Sequence, residues 1–172
     1  MREQPWDGNR SILQQFVELP SISAAFACAL TQAEYTSQMN GLTIALQADH
    51  DRHLLSVVYS GDWDLSQAQE TFHEILAALA EHKLKKVLVD GRQIIGDPEP
   101  LERFYYSRYV TDAVAQSVNR NRIEVPRFAY VLLEPMLDPK RFGETVAVNR
   151  GMRVKAFDNL KQAEWWLGVP SQ

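Results

Sequence analysis

Four neighbouring side chains are the first candidates for chemistry in this sequence. The imidazoles of His50 and His53, beside the carboxylates of Asp49 and Asp51, could bind a metal ion. A zinc site needs three or four ligands, however, and no third ligand from a remote part of the sequence is evident to join the two histidines. The single cysteine, Cys28, lies off the apolar stripe of its predicted helix and has no identifiable base beside it. The sequence therefore predicts no metal site, no cofactor and no enzyme activity.

The composition indicates one globular domain with an appendage. The chain has 172 residues, of which 45% are hydrophobic and 23% are charged. A net charge of -4 argues against a nucleic-acid surface, which depends on clustered Lys and Arg. One cysteine excludes an intramolecular disulfide, so cytoplasmic localisation is the default expectation. No apolar run approaches the roughly 18 residues that a spanning helix needs, so the chain is not predicted to be an integral membrane protein.

The first 40 residues are predicted to be an N-terminal extension. Apolar positions from Ile22 onward follow helical spacing, which predicts an amphipathic helix over about residues 22–36, and Ser21 after Pro20 is a suitable N-cap. The pattern breaks at residues 37–41. An alternative interpretation is that Met39 is the physiological start and that the upstream residues do not belong to the protein.

From residue 41 onward, strand and helix signals alternate. Two β-rich segments, 42–47 and 54–60, should pair as a hairpin, and later strands are predicted at 87–89, 128–133 and 154–157. Helices should follow Asp64, Pro100, Asp138 and Asn159, and the first and last of these carry a capping-box glutamine three residues later. This order predicts an α/β fold with a mixed, mostly parallel five-stranded sheet and about four helices.

Several short motifs in this order resemble a known family. They are Gly61-Asp-Trp-Asp-Leu65, Val87-Leu-Val-Asp90, and Asn149-Arg-Gly151 followed by residues 154–158 and 163–167. Over residues 41–168, with 169–172 as a tail, the chain resembles the STAS-like, SpoIIAA-like domains. The resemblance implies a small α/β domain, related to the anti-sigma-factor antagonists, that binds proteins or small ligands and performs no enzyme chemistry.

The resemblance does not extend to the phosphorylation switch of the antagonists. Their phosphorylated Ser or Thr follows the middle strand, where this chain reads Asp90-Gly-Arg-Gln-Ile-Ile-Gly-Asp97. None of these residues carries a hydroxyl, so none can accept a phosphate with its roughly two negative charges. The sequence therefore predicts a binding or regulatory module without this switch.

Ligands of open α/β sheets bind beyond the carboxyl ends of the strands. This rule points to Asp90 and Arg92, with Arg103, Tyr106 and Arg108 from the next helix closing over them. Guanidinium groups match carboxylates and phosphates, so an anionic or amphipathic ligand is one expectation. The alternative is that Arg103 and Arg108 are ordinary surface residues, and Trp165 and Trp166 are read as packing residues.

Two functional hypotheses follow from these observations. The first is a non-enzymatic STAS-like binding or regulatory module, with a protein or a small ligand as its partner and with the N-terminal helix covered by a second copy of the chain in a homodimer. The second is a carrier of a lipid or another small amphipathic or anionic ligand, held between the sheet and the Tyr-rich second helix of the domain.

Overall fold

The computed structural model describes residues 34–39 and 41–169. Its elements, in chain order, are β1 (Glu34–Met39), β2 (Leu42–Asp49), β3 (Leu54–Asp62), α1 (Leu65–His82), β4 (Lys86–Ile95), α2 (Pro100–Asn121), β5 (Arg127–Val131), α3 (Phe142–Asn149), β6 (Arg153–Phe157) and α4 (Leu160–Leu167). The strands form one sheet in the order β1-β2-β3-β4-β5-β6. The first two pairings are antiparallel and the next three are parallel. The α/β class, the mixed sheet and the four helices of the domain are confirmed.

All five predicted strands are present, and β1 adds a sixth at the edge of the sheet. The predicted helix 22–36 is wrong at its last three residues, which belong to β1, and its remainder lies outside the described residues. Met39 pairs with Leu42, so only two residues connect β1 to β2. The connecting dipeptide is Asn40-Gly41, and Gly41 has a φ of 121°, which favours glycine. Asn-Gly between two strands is a strong hairpin signal that the helical spacing upstream obscured.

Helices cover the sheet on both faces. Helices α1, α2 and α3 pack on one face, where the fully buried Phe72, Phe128 and Val87 belong to the larger core. Helix α4 packs on the opposite face, where Ala163 and Leu167 contact a smaller core from β4, β5 and β6. Alternate residues of a strand face opposite sides of a sheet, so β4 and β5 contribute to both cores. Burial on both faces explains why these central strands read as continuous apolar runs.

The predicted N-caps are present at the N-terminal ends of α1 and α4, whereas the predicted N-cap of α3, Asp138, does not precede the first residue of that helix. The Asp64 side chain accepts a hydrogen bond of 2.8 Å from the Gln67 backbone N–H, and Asn159 caps α4 in the same way. The Gln67 side chain does not close a capping box; it accepts from the Leu42 N–H at 3.1 Å and so joins α1 to β2. Helix α3 begins at Phe142 and not after Asp138, because Arg141 has a left-handed backbone with a φ of 54°.

Strand β4 is longer than the predicted segment 87–89. It begins at Lys86 and continues to Ile95, well beyond the predicted end at Val89. The extension pairs with the end of β3, from Ser60 to Asp62, after a shift in register beyond Val58. Such an irregularity re-aims the chain locally. Strand β4 then ends at Ile95, and the Ile95 carbonyl accepts a hydrogen bond of 2.8 Å from the Trp63 backbone N–H.

Candidate functional site

A cavity of about 140 Å³ lies between the sheet and helices α2 and α3. It lies toward the carboxyl ends of the parallel strands, the region in which ligands bind in open α/β sheets. Most of its lining is aliphatic, and these residues come from the sheet, from helices α1, α2 and α3 and from the loops after β5 and α3. They are Leu42, Ala68, Val89, Ile94, Val110, Leu132, Met136, Leu137, Ala147, Met152, Val154 and Ala156.

One wall of the cavity is aromatic and consists of Tyr59, Trp63, Tyr106 and Tyr130. The rings of Trp63 and Tyr106 meet edge to face, with centroids 5.4 Å apart and planes at 83°. Gly96 permits the close approach that places Trp63, because a Cβ there would lie 2.7 Å from the Trp63 Cβ. The end of β4 therefore positions one side of this aromatic wall.

Two polar atoms of the aromatic wall are buried without a hydrogen-bond partner among the described residues: the Trp63 Nε1 and the Tyr130 hydroxyl oxygen. Buried polar groups in proteins are nearly always hydrogen-bonded, and an unmade bond costs about 1–3 kcal/mol. Tyr59 shows the usual arrangement, because its hydroxyl lies 2.9 Å from the Thr71 Oγ1. Since the Thr71 hydroxyl donates to the Gln67 carbonyl, Tyr59 is the donor to Thr71. The two unpartnered atoms therefore stand out against a satisfied neighbour.

The tyrosine hydroxyls of the wall are held in their neutral form. Burial raises the pKa of Tyr106 well above its ordinary value, and the neighbouring Tyr130 raises it further. Burial likewise raises the pKa of Tyr130, to which Tyr59 adds. The neighbouring side chains of Tyr106 and Tyr130 interact with each other, and this interaction contributes to the pKa of both hydroxyls. The wall is an uncharged, weakly polar surface in a site that disfavours charge.

Arg103 borders the cavity, and most of its guanidinium N–H groups make structural hydrogen bonds. Its guanidinium donates to the Pro98 carbonyl at 2.9 Å, the Pro135 carbonyl at 2.8 Å and the Met136 carbonyl at 2.6 Å. It also lies 3.3 Å from a carboxylate oxygen of Asp97. Its side chain is only 15% exposed. Arg103 thus joins the loop before α2 to the loop after β5 and has no free donor pair to offer an anion.

Asp90 and Arg92 form an ion pair away from the cavity. The Arg92 guanidinium donates to both carboxylate oxygens of Asp90, at 2.9 and 2.7 Å. The hydrogen bond from the Arg92 side chain lowers the pKa of Asp90. Val89 lines the cavity, so strand alternation places Asp90 with Leu88 on the opposite face of the sheet. The structure therefore separates this pair from the cavity.

Arg108 lies on the exposed side of α2. Its side chain is 57% exposed, and its Nε lies 3.9 Å from a carboxylate oxygen of Asp112 one turn later. A pair of this kind is worth little in water. The five candidates from the sequence thus divide: Arg103 and Tyr106 line the cavity, whereas Asp90, Arg92 and Arg108 do not.

The other charged residues of the cavity lining are also engaged. The Asp138 carboxylate accepts from the backbone N–H groups of Lys140 and Phe142, and the bond from Phe142 is the main cause that lowers the pKa of Asp138. Arg141 donates to the Ala156 carbonyl, while Glu144 accepts from the Ala156 N–H at 2.8 Å. Arg141 and Glu144 therefore hold both backbone groups of one residue on the outer edge of β6.

A second, more polar cleft adjoins the cavity. Its volume is about 340 Å³, and it shares Pro98, Arg103 and Asp138 with the cavity lining. Its remaining lining residues are acidic or proline, namely Asp97, Glu99, Pro100, Glu134, Pro135 and Pro139. The Arg103 hydrogen bonds to Pro98 and Pro135 cross this cleft, so Arg103 lies between the two spaces.

Trp63 and Tyr130 are the residues of this site that the sequence analysis missed. In the sequence, Trp63 is only one residue of the motif Gly61-Asp-Trp-Asp-Leu65, and Tyr130 is only one residue of the predicted strand 128–133. A signal existed for Tyr130: it alternates with the buried Ala129 and Val131 and so faces the same side of the sheet as Phe128. Nothing local to Trp63 indicates that its ring borders a cavity.

In residues 34–39 and 41–169, no group of three or more His, Cys, Asp or Glu side chains is arranged to hold a metal ion. No helix within those ranges has the length and apolar character required to cross a membrane. No family model and no curated protein matches the chain.

Proposed function

We propose that this chain is a non-enzymatic, STAS-like binding module whose ligand is a small, largely apolar molecule. The observation that carries the proposal is the cavity of about 140 Å³ behind α2 and α3. Well-packed cores contain few voids larger than a water molecule. Apolar cavities of roughly 150 Å³ admit a molecule of the size of benzene. The cavity is thus suited to a ligand with one ring or a short aliphatic chain.

The size of the cavity also limits the affinity. Burying roughly 200 Å² of ring surface contributes about 5 kcal/mol at about 25 cal/mol per Å². This corresponds to a dissociation constant on the order of 0.2 mM before the costs of association. Among the sequence hypotheses, a carrier of a small ligand is therefore favoured over a carrier of a long-chain lipid, whose chain would not fit the cavity.

Filling the cavity tests this proposal directly. Ala147 is buried on α3 and lines the cavity, so Ala147→Leu adds three carbon atoms to the space that the ligand would occupy. Ala115 is exposed on α2, and Ala115→Leu makes the same change outside the cavity. Binding of single-ring compounds is measured by protein-detected NMR titration, and thermal unfolding checks that each variant folds.

We expect the native chain and Ala115→Leu to bind these compounds with dissociation constants no tighter than about 0.2 mM, the limit set by the buried ring surface. Ala147→Leu should bind at least tenfold more weakly while keeping a cooperative unfolding transition. If folded Ala147→Leu binds as tightly as the native chain, the ligands occupy another place and the proposal is wrong. Native mass spectrometry of protein purified from cells adds a second check, because a retained small molecule should be absent from Ala147→Leu.

A further inference from the structure

The first turn of α3 borders the cavity with two free backbone donors. Arg141, the residue at the N-cap of this helix, supplies no side-chain hydrogen bond. The Phe142 N–H donates to the Asp138 carboxylate at 2.8 Å. The N–H groups of Gly143 and Glu144 have no hydrogen-bond partner in the part of the chain that the structure describes, and both residues line the cavity. Free N–H groups at the start of a helix, together with the helix dipole, favour an anion.

The Ser107 hydroxyl lies beside this turn and is a further free donor. Ser107 lines the cavity from α2 and is only 7% exposed. A Cβ placed on Gly143 would lie 3.0 Å from the Ser107 Oγ, so the hydroxyl lies against the first turn of α3. This oxygen has no hydrogen-bond partner among the described residues, whereas one turn later the Thr111 hydroxyl donates to the Ser107 carbonyl at 2.6 Å. Unlike the sealed polar atoms of Trp63 and Tyr130, the Ser107 Oγ is accessible. Because buried hydroxyls are nearly always hydrogen-bonded, this one points to a ligand, and with the two free N–H groups it forms a donor corner of the cavity.

The side-chain charges around the donor corner cancel, and the helix adds a positive end. The charged lining residues are Arg103, Asp138, Arg141 and Glu144, two of each sign. The two carboxylates accept from backbone N–H groups, and Arg103 donates to backbone carbonyls. The Arg141 Nη1 donates to the Ala156 carbonyl, whereas its Nε and Nη2 have no partner among the described residues and the guanidinium keeps its charge. Since the N-terminus of α3 adds about half a positive charge, an anion at the donor corner meets a net positive field.

We infer that the cavity selects a single-ring carboxylate, whose carboxylate group accepts hydrogen bonds from the Ser107 hydroxyl and from the free N–H groups at the start of α3. This inference rests on the proposed function, since it requires a ligand in the cavity. The ring packs on the aliphatic and aromatic lining, as in the proposed function. A carboxylate fits the donor corner best, because it is an acceptor only and its two oxygens can accept from several donors at once.

Three ring compounds of similar size separate the alternatives. Benzoate carries the carboxylate, benzamide is its neutral isostere, and toluene has no acceptor. Binding of each to the full chain is measured by protein-detected NMR titration at neutral pH. We expect benzoate to bind about tenfold more tightly than toluene, the effect of charge-assisted hydrogen bonds less the cost of desolvating the carboxylate. Benzamide should bind more weakly than benzoate, because its oxygen accepts a hydrogen bond but carries no charge.

Two variants assign the preference to the donor corner. Ser107→Ala removes the hydroxyl and keeps a good helix former, and Gly143→Ala adds a Cβ 3.0 Å from the Ser107 Oγ and so narrows the corner. Each should reduce the preference for benzoate over toluene to less than about threefold, the effect of losing one charge-assisted hydrogen bond. Toluene should bind both variants as it binds the native chain. Ser117→Ala is the matched control, because Ser117 also belongs to α2 but does not line the cavity, and it should retain the full preference.

The outcomes distinguish the inference from the proposed function, and thermal unfolding checks that each variant folds. Equal binding of toluene and benzoate to the native chain overturns the inference and leaves ligand binding in place. Benzamide binding as tight as that of benzoate also overturns it, since charge would then play no part. A preference that persists in folded Ser107→Ala and in folded Gly143→Ala overturns the assignment to the donor corner. If none of the three compounds binds, the proposed function itself fails.

Discussion

Replacing Arg103 tests whether this residue is a structural clamp or a ligand-binding group. Arg103→Met keeps much of the aliphatic stem and removes hydrogen bonds to three carbonyls, of Pro98, Pro135 and Met136. At about 1 kcal/mol for each bond, the unfolding free energy should fall by about 3 kcal/mol. The contact with Asp97 is left out of this sum, because the Asp97 side chain is 74% exposed and water screens the pair.

The matched control is Arg108→Met. The same change there removes one exposed ion pair at 3.9 Å and should alter the unfolding free energy by less than about 0.5 kcal/mol. Urea unfolding gives both values, and Arg103→Lys should fall between them, since one ammonium group cannot reach all three carbonyls. Hydrogen exchange should become faster in the loops at 97–99 and 134–138 of Arg103→Met. Equal stability of Arg103→Met and Arg108→Met would refute the clamp.

Three other perturbations test the core, the sheet edge and the aromatic wall. Phe72→Ala should lower the unfolding free energy by about 3–5 kcal/mol, because Phe72 is fully buried, whereas Trp165→Ala, at a position 77% exposed, should change it by less than about 0.5 kcal/mol; urea unfolding decides. Glu144→Ala leaves the Ala156 N–H on the outer edge of β6 without its acceptor, so we expect the unfolding free energy to fall by about 1–2 kcal/mol. We also expect more self-association in sedimentation velocity, because an unpaired strand edge can pair with another chain, and an unchanged monomer fraction would contradict this explanation. Folding raises the pKa of Tyr130 above its ordinary value of 10.0, so the unfolded chain loses the hydroxyl proton at a lower pH than the folded chain does. The unfolding free energy should therefore fall as the pH rises above 10, and Tyr130→Phe should make that fall shallower.

Local signals predicted the elements of the domain because each signal acts over a few residues. Asp64 and Asn159 cap their helices as their spacing indicates, and the hairpin of β2 and β3 forms as expected. The failures occur where distant residues decide the outcome. Strand β4 continues past Gly91 because β3 offers a second run of partners beyond its register shift.

The candidate site was predicted in position but not in composition. The carboxyl-end rule indicated the region in which the cavity lies, and Tyr106 lines that cavity. The rule does not specify on which face of the sheet a strand residue lies when its neighbours on both sides are buried. The sequence analysis therefore placed Asp90 in the same candidate site as Arg103, although strand alternation puts Asp90 on the face of the sheet opposite the cavity.

The sequence by itself determined the α/β order, the ends of most helices and the absence of a phosphorylatable hydroxyl after the middle strand. These properties depend on residue type and on spacing within a few positions. Only the tertiary structure decided that Arg103 is a clamp and that Trp63 and Tyr130 border a cavity with unpartnered polar atoms. A cavity is the space that remains after several elements have packed, so it depends on distances between residues far apart in the chain, and no local pattern encodes them.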